Sequence, residues 1–145
     1  MAHFLVTGGA GFIGSHLAEA LVRRGDRVRV VDSFVTGHRR NLAGVPQVEI
    51  LEGDLAHFDV AQRAVAGVDV VLHQAAIPSV PRSGTAPITS NRANVDASLN
   101  LLVAARDAGV RRLVYAGSSS VYGDTPTLPK VETMPPTPRS PYALQ

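Results

Sequence analysis

Two groups of hydroxyl side chains in this sequence have the types and spacing that acid–base chemistry needs. The serine run 118–120 follows an apolar stretch, and Tyr142 follows Ser140 and Pro141, a pair that signals the start of a helix. A phenol at a helix start can act as acid and base when a nearby cation lowers its pKa from about 10. On a helix that cation belongs four residues on, at position 146, one residue beyond the given sequence. Two plainer interpretations stay open: the serines form a turn that bonds its own backbone, and Tyr142 is a surface aromatic residue.

A glycine-rich segment near the amino terminus has the form of a phosphate-binding turn. It joins the apolar stretch 4–6 to an amphipathic one, with Gly8, Gly11 and Gly14 at three-residue steps. A strand that turns sharply into a helix leaves backbone N–H groups unpaired at the helix start, where the helix dipole also favours an anion. We therefore predict that Gly8 makes the tight turn, that Gly11 lets a pyrophosphate approach, and that Gly14 packs the helix on the strand.

An acidic residue after the second apolar segment favours a dinucleotide as the ligand. Residues 27–31 form a predicted strand, and Asp32 lies at its carboxyl end. A carboxylate there accepts both hydroxyls of an adenosine ribose and repels a 2′-phosphate, which favours NAD over NADP. Arg39 and Arg40 follow closely and weaken this preference slightly. The alternative interpretation is that Asp32 only caps a loop.

Length and composition limit the class of protein. The 145 residues suit one domain, 1–145, and a hydrophobic content of 45% with 18% charged residues is typical of a folded α/β unit. The net charge is only +2, with basic and acidic residues interspersed, so nucleic-acid binding is not indicated. No apolar run approaches the ~20 residues that span a bilayer, and no secretory signal is present, so we expect a cytoplasmic protein without membrane contact. The lack of cysteine and of clustered histidines predicts no metal site.

Apolar runs alternate with helical patterns along the chain, which predicts a parallel sheet covered by helices on both faces. Strands are predicted at 3–7, 27–31, 48–52, 69–73 and 112–117, and helices at 12–24, 56–66 and 91–108. Gly25 and Gly109 mark the ends of two helices. Right-handed crossovers give the strand order 3-2-1-4-5 of a Rossmann-type doubly wound sheet, with the binding crevice between strands one and four.

The helical patterns also predict which side chains lie together on each helix. In the first helix, the face predicted to meet the sheet consists of Phe12, Ile13, Leu17, Ala20, Leu21 and Arg24. In the last helix, Val95, Leu99, Leu102 and Val103 recur at helical spacing.

Two further strand ends carry candidate residues. Asp54 and Leu55 follow the third strand, where the carboxylate either bonds the exocyclic amine of an adenine or caps a helix starting near Ala56. The segment His73-Gln74-Ala75-Ala76 follows the fourth strand. Its small residues leave room for a dinucleotide across the sheet edge, and the plainer interpretation is close packing around a core histidine.

The sequence from Phe4 to Gln145 resembles the extended short-chain dehydrogenase/reductases that act on nucleotide sugars. The matching motifs are Thr7 to Gly14, Asp32, Gly53-Asp54-Leu55, His73 to Ala76, Asn94, the serine run before Val121-Tyr122-Gly123-Asp124, and Ser140-Pro141-Tyr142. Within that family, the segments 79–83, 87–91 and 128–132 are most similar to UDP-N-acetylglucosamine 4-epimerases, with UDP-glucose 4-epimerases close behind.

The resemblance implies a catalytic group that works on tightly held NAD. Tyr142 would take the proton from the sugar O4 while a hydride leaves C4, and Ser118 would hydrogen-bond the same oxygen. The transient 4-keto sugar would turn over and receive the hydride on its other face, so that a UDP-sugar becomes its 4-epimer. By the same matching, Asn94 would help to order the central helix, and the helix 91–108 would contribute to a homodimer.

The resemblance also assigns binding residues. Cofactor contacts would come from Gly8, Gly11, Phe12, Ile13, Gly14, Asp32, Ser33, Phe34, Thr36, Gly37, Asp54, Leu55, Gln74, Ala75, Ala76, Asn94, Ser118 and Tyr142. Substrate contacts would come from Ser79, Val80, Arg82, Ser83, Ser119 and Ser120.

Related chemistries and other roles remain as alternatives. Nucleotide-sugar 4,6-dehydratases have an acidic pair where this chain has Ser119 and Ser120, and decarboxylases commonly have an acidic residue at the position of Ser120. Full members of the family continue through a lysine and a second domain, so we expect the intact parent to be an epimerase and these residues alone to have little turnover. A non-catalytic NAD-binding module and an interaction domain with an exposed sheet edge are the other hypotheses.

Overall fold

The computed structural model describes all residues 1–145 and contains one five-stranded parallel sheet. Its strands are β1 (His3–Thr7), β2 (Arg27–Asp32), β3 (Glu49–Glu52), β4 (Val70–His73) and β5 (Arg112–Tyr115). They lie in the order β3-β2-β1-β4-β5, which confirms the predicted topology. The register pairs Thr7 with both Val31 and His73, and His73 with Tyr115, so the carboxyl ends of these strands meet at one edge of the sheet.

Six helices and several tighter turns connect the strands. The helices are α1 (Phe12–Arg23), α2 (Phe58–Val65), α3 (Val80–Thr85), α4 (Pro87–Asn91), α5 (Ala97–Asp107) and α6 (Pro141–Leu144). A π-helical turn, Arg92–Asp96, joins α4 to α5, and 3₁₀ turns occupy Arg39–Leu42 and Ser119–Tyr122. Gly25 and Gly109 have φ values of 87° and 70° after α1 and α5, as expected of helix stops. None of these helices has the length and apolar character needed to span a bilayer.

The segment before α5 differs most from the sequence prediction. The predicted helix 91–108 is preceded by α3 and α4 and starts with the π-helical turn instead of a regular α-helix. The Ser79 hydroxyl caps α3 by accepting a hydrogen bond from the Arg82 N–H at 3.2 Å, and both short helices have proline in the first turn. These are local start signals without apolar periodicity, so a search for periodicity misses them. Elsewhere α2 starts at Phe58 and β5 ends at Tyr115, two residues from the predicted bounds.

The core consists of two hydrophobic clusters, one on each face of the sheet. Leu5 and Val31 face the cluster that contains α2 and α5, whereas Val6 and Val30 face the cluster that contains α1. Because successive strand residues point to opposite faces, the central strands must be apolar at nearly every position.

The α1 helix approaches the sheet through small residues. Its buried residues are Gly14, Ser15, Ala18 and Leu21, whereas Phe12 is 79% exposed and Ile13 is 60% exposed. The prediction that Phe12, Ile13, Ala20 and Arg24 meet the sheet is therefore wrong. Close contact requires the small side chains on the inner face, so the large residues at the start of the helix remain at the surface beside the glycine-rich turn.

Candidate active site

The glycine-rich turn has the geometry that the sequence predicts for Gly8 and Gly14. Gly8 has a φ of 63°, its N–H donates to the Val31 carbonyl at 2.8 Å, and a Cβ would lie 2.8 Å from the Ala75 Cα. A Cβ on Gly14 would lie 2.3 Å from the Gly8 carbonyl oxygen. Both positions therefore require glycine, the first for the turn and for contact with the end of β4, the second for helix packing.

The start of α1 is open to an anion. The N–H groups of Phe12, Ile13 and Gly14 have no hydrogen-bond acceptor in the protein, the first turn contains no acidic residue, and no side chain caps the helix. Within 4 Å, a Cβ on Gly11 would meet only the Gly8 carbonyl oxygen, at 3.2 Å, so the space over this residue is free. Three free amides at the positive end of a twelve-residue helix fit a diphosphate.

Asp32 is held rigidly at the end of β2. Its side chain is 8% exposed, and its two oxygens accept hydrogen bonds from the Ala10 N–H at 2.9 Å and the Phe34 N–H at 2.8 Å. A Cβ on Gly37 would lie 2.8 Å from the carboxylate, so this glycine makes room for it. A carboxylate has about four acceptor positions, so loop capping leaves capacity for ribose hydroxyls. The two interpretations of Asp32 are compatible.

The loop after Asp32 brings Arg39 close to this site. Phe34 has a φ of 56°, and the Arg39 guanidinium lies 4.3 Å from the centre of its ring. The same guanidinium forms an ion pair with Glu52 at the end of β3. The positive charge of Arg39 is thus partly neutralised by Glu52. Arg39 therefore attracts a 2′-phosphate less than the sequence suggested, and the preference for NAD is stronger. Ser33 and Thr36 are exposed on the same loop.

Asp54 is not the N-cap of α2, and the side chain of Leu55 is buried in the core. The Asp54 carboxylate accepts from the Ala56 N–H at 2.9 Å within a turn, and α2 begins later, with His57 as its N-cap. Leu55 is 4% exposed and belongs to the core, while its carbonyl accepts from the Asn100 side chain at 3.0 Å. The cap prediction for Asp54 is wrong, and only the backbone of Leu55 is left to face a cofactor.

The end of β4 is tied to β1 by a buried hydrogen-bond chain. The Thr7 hydroxyl oxygen accepts from the N–H groups of Gln74 and Ala75, both at 3.1 Å, so its own proton donates to His73 Nδ1 at 2.6 Å. His73 Nε2–H then donates to the Ser98 hydroxyl at 2.9 Å, which donates to the Asn94 carbonyl at 2.5 Å. Burial lowers the pKa of His73 to about 4, in agreement with this neutral ring.

Ser118 and Tyr142 line one cavity of about 920 Å³ at this edge of the sheet. Ser118 caps the 3₁₀ turn by accepting from the Ser120 N–H at 3.2 Å, and its hydroxyl proton remains free to donate. Further lining comes from Gln74, Ala75, Ala76, Asn94, Ser119, Lys130 and Glu132. Ser120 does not line this cavity, which differs from the expectation that it faces the sugar.

The short α6 helix that carries Tyr142 is docked by serine hydroxyls. The Ser140 hydroxyl accepts from the Ala143 N–H at 3.1 Å, as predicted for an N-cap. The Tyr142 N–H donates to the Ser83 hydroxyl at 3.0 Å, and that hydroxyl donates to the Val80 carbonyl at 2.8 Å. Ser83 is completely buried, so the expectation that it contacts the substrate is corrected: it supports the backbone of Tyr142.

The rest of the segment 79–83 also lies away from the cavity that Ser118 and Tyr142 line. Ser79 is the N-cap of α3, and Val80 and Arg82 are exposed but do not line the cavity that contains Ser118. Their assignment to the substrate stays a prediction.

The side chain of Asn94 is buried and makes its hydrogen bonds within the protein. Its side chain is 5% exposed, its oxygen accepts from the Ile77 N–H at 2.8 Å, and its nitrogen donates to Gln145 Oε1 at 2.9 Å. Ser90 donates to the same Gln145 oxygen at 2.8 Å. Asn94 therefore links the segment after β4 to the end of α6, and its role in ordering the central helix stays a prediction.

Sequence reasoning missed the hydroxyls that support this site. The supporting roles of Thr7, Ser83, Ser90 and Ser98 were not predicted, and neither was the position of Lys130, the single lysine of the chain, in the cavity. Each of the four hydroxyls has a partner at least 25 residues away in the sequence, so no local spacing reveals its role. Lys130 lines the same cavity as Ser118 and Tyr142, and its Nζ donates to the carbonyls of Thr125 and Thr127.

The doubly wound sheet, the open helix start and the anchored Asp32 define a dinucleotide-binding α/β domain. Residues 4–145 match the model of the NAD dependent epimerase/dehydratase family. The chain belongs to this family, and NAD is its cofactor.

Three similar proteins show the range of the family. UDP-glucose 4-epimerase from Streptomyces lividans is 40% identical over 143 residues, which cover 96% of this chain and 43% of that protein. The structure of UDP-N-acetylglucosamine 4-epimerase from Methanobrevibacter ruminantium matches with a TM-score of 0.91 at 36% identity, covering 99% of this chain and 46% of that one. A dTDP-glucose 4,6-dehydratase from Streptomyces venezuelae, solved with NAD bound, matches with a TM-score of 0.91 at 38% identity, covering 98% and 47%. This chain spans less than half the length of each relative.

Proposed function

We propose that these residues are the cofactor-binding half of a UDP-sugar 4-epimerase and carry two of its catalytic side chains, Ser118 and Tyr142. The main support is that both side chains line one cavity with residues 74–76, whose backbone packs directly on Gly8 of the phosphate-binding turn. A sugar in that cavity would lie next to the nicotinamide end of a dinucleotide held by the α1 amides and Asp32.

The roles of the residues follow from this arrangement. Asp32 would accept the ribose hydroxyls, and the free amides of Phe12, Ile13 and Gly14 would hold the diphosphate. Tyr142 would take the proton from the sugar O4 and later return it, while the Ser118 hydroxyl donates to the same oxygen. NAD supplies the site that accepts a hydride from C4 and gives it back.

The test combines cofactor titration with a search for epimers. We would titrate NAD by calorimetry and then incubate the loaded protein with UDP-glucose or UDP-N-acetylglucosamine. We expect NAD binding with little or no turnover, because Lys130 is the single cationic side chain lining the cavity and its ammonium bonds two backbone carbonyls. Failure to bind NAD would overturn the proposal, and substantial epimer formation would show that Tyr142 needs no further cation.

A 4,6-dehydratase is the second candidate. It is favoured by Glu132, a carboxylate that lines the same cavity and could serve as the additional acid that elimination needs. Against it stand Ser119 and Ser120 at the positions of the family's acidic pair. Mass spectrometry of the incubations detects a dehydratase, because its product has lost water. An epimer has the mass of the substrate and is separated from it by chromatography. Binding of NAD without either product favours a non-catalytic NAD-binding module for these residues alone.

We further propose that the parent protein forms a homodimer through α5. Leu99 is 59% exposed and Leu102 is 52% exposed, and Val95 continues this stripe, whereas the opposite face of α5 is packed on the sheet. An exposed apolar stripe on a core helix is typical of a surface that another subunit covers.

A further inference from the structure

A continuous chain of buried hydrogen bonds runs from the glycine-rich turn to the helix of Tyr142. It starts at Thr7, directly before Gly8, and passes through His73 and Ser98 to the carbonyl of Asn94. The Asn94 side chain continues it to Gln145, next to the end of α6. The chain thus joins the end of β1 to the end of β4, the π-helical turn and α6, and residues of the last three line the cavity.

Each member of this chain has a fixed direction of donation. The two lone pairs of the Thr7 hydroxyl are used by backbone N–H groups, so its proton can go only to His73 Nδ1. The ring must then be neutral with its proton on Nε2. The Ser98 hydroxyl accepts a hydrogen bond from this Nε2–H and donates its own proton to a hydrogen bond with the Asn94 carbonyl at 2.5 Å. If the ring were protonated, its Nδ1–H and the Thr7 hydroxyl proton would point at each other, and no hydrogen bond could form between them.

The surroundings of His73 supply no charge that would alter this arrangement. Its hydrogen-bond partners are Thr7 and Ser98, and the Tyr115 ring of β5 lies against it with 5.5 Å between ring centres. His73 is 2% exposed, and no ionic side chain contacts it. Burial keeps its pKa near 4, so the ring stays neutral through the physiological range.

The π-helical turn is where this chain reaches the catalytic side of the molecule. Single π-turns occur frequently at functional sites, and this one lies at Arg92–Asp96, with Asn94 at its centre. The Asn94 carbonyl accepts a hydrogen bond from the Ser98 hydroxyl, while the Asn94 side chain bonds both Ile77 and Gln145. A shift at His73 would therefore move the part of the cavity wall that Asn94 and Gln145 form.

We propose that His73 and Ser98 are positioning residues that set α6 and the nicotinamide side of the cavity relative to the phosphate-binding turn. This inference depends on NAD as cofactor and is independent of which sugar reaction follows. Both residues also line the cavity, but their polar side-chain atoms are engaged in the chain and would not contact the reacting atoms. Replacing them would weaken binding of the nicotinamide end of the cofactor. Binding of the adenosine end, which Asp32 is proposed to contact, would not change.

The test uses Ser98→Ala, with Ser98→Thr as the conservative variant. Thr85→Ala is the control, because the exposed Thr85 hydroxyl likewise donates to backbone carbonyls of its own helix, at Pro81 and Arg82, and makes no other hydrogen bond. Calorimetry with NAD and with ADP-ribose separates the two ends of the cofactor. For Ser98→Ala we expect about tenfold weaker NAD binding and ADP-ribose binding within about twofold of wild type. Ser98→Thr should restore NAD binding, and Thr85→Ala should bind as wild type does.

A second measurement does not require the cofactor. The side-chain amide signals of Asn94 and Gln145 in NMR spectra of the free protein should shift in Ser98→Ala and stay in place in Thr85→Ala. Unchanged amide signals would overturn the proposal, as would equal losses of NAD and ADP-ribose binding, which indicate a general structural effect. A wild-type protein that binds neither ligand, with the amide shifts as expected, contradicts the proposed function and leaves the positioning chain intact.

Discussion

At the scale of single residues, the orientation of the Asp32 carboxylate is fixed by the protein itself before a cofactor binds. Asp32 receives backbone N–H groups from the phosphate-binding turn, at Ala10, and from its own loop, at Phe34. Its carboxylate therefore does not have to be oriented when a ribose binds, which saves the side-chain entropy that a mobile acid would lose. Gly37 is part of this arrangement because no side chain fits between the carboxylate and Ala10.

Gly37→Ala should weaken NAD binding by about tenfold without unfolding the protein. The added methyl group would lie 2.8 Å from Asp32 Oδ1 and 2.9 Å from the Ala10 Cβ, so the carboxylate must rotate away from the ribose site. Gly44→Ala is the matched control, because a Cβ there meets nothing within 4 Å. Calorimetric titration of both variants provides the measurement. Equal NAD affinity in the two variants would show that the position of this carboxylate does not matter.

At the scale of the elements, close packing of α1 on β1 decides which residues are exposed. Gly14 lies against the backbone of Gly8 and Gly9, and this contact turns Phe12 and Ile13 outward. The same large residues then flank the open amides. An apolar rim beside a diphosphate site would shield bound phosphates from water.

Gly14→Ala should destabilise the fold by about 2 kcal/mol, since an added Cβ would lie 2.3 Å from a backbone oxygen that cannot rotate away. Gly84 offers a matched control because it is also helical and a Cβ there meets nothing within 4 Å. Gly84→Ala should be neutral or stabilise the protein by up to about 1 kcal/mol. Urea unfolding measures both, and a Gly14 variant as stable as the Gly84 variant would contradict the close packing.

Most elements could be predicted from the sequence because their signals are local. Apolar periodicity, Gly25 and Gly109 gave the strands and long helices, and the right-handed crossover rule gave their order. Helix α3 was missed because Ser79 and its following proline are capping signals without periodicity. The exposure of Phe12 could not be predicted, since it depends on how closely the helix approaches the sheet. The role of Ser83 depends on a contact with Tyr142, 59 residues away in sequence.

At the scale of the whole molecule, the buried His73 ties stability to pH. Its pKa is lowered to about 4 in the fold from 6.5 in the unfolded chain, so the unfolded state binds the additional proton. Stability should be complete above pH 6.5 and fall as the pH approaches 4, by on the order of 2 kcal/mol between pH 7.5 and 5. Urea unfolding at several pH values measures this.

A matched control distinguishes the titration of His73 from the titration of carboxylates. The pKa of Glu49 is lowered from 4.5, chiefly by its hydrogen bond with Arg29, so its contribution is lost mainly below the range used. Glu49→Gln should therefore keep the slope between pH 7.5 and 5. A flat profile for the wild type in this range would contradict a buried neutral His73.

The stripe on α5 allows a final prediction about assembly. Leu99→Lys should convert a dimer into a monomer. Burial of each leucine of the stripe between two subunits would contribute roughly 2 kcal/mol, and the lysine would instead place a charge in that apolar interface. The fold should be unaffected, since Leu99 is 59% exposed in one subunit. Leu128→Lys is the control, as Leu128 is 78% exposed and lies outside α5. Sedimentation over a range of concentrations gives the mass of each variant. A wild type that stays monomeric at every concentration, or a Leu99 variant that still dimerises, would show that this face of α5 is not the interface.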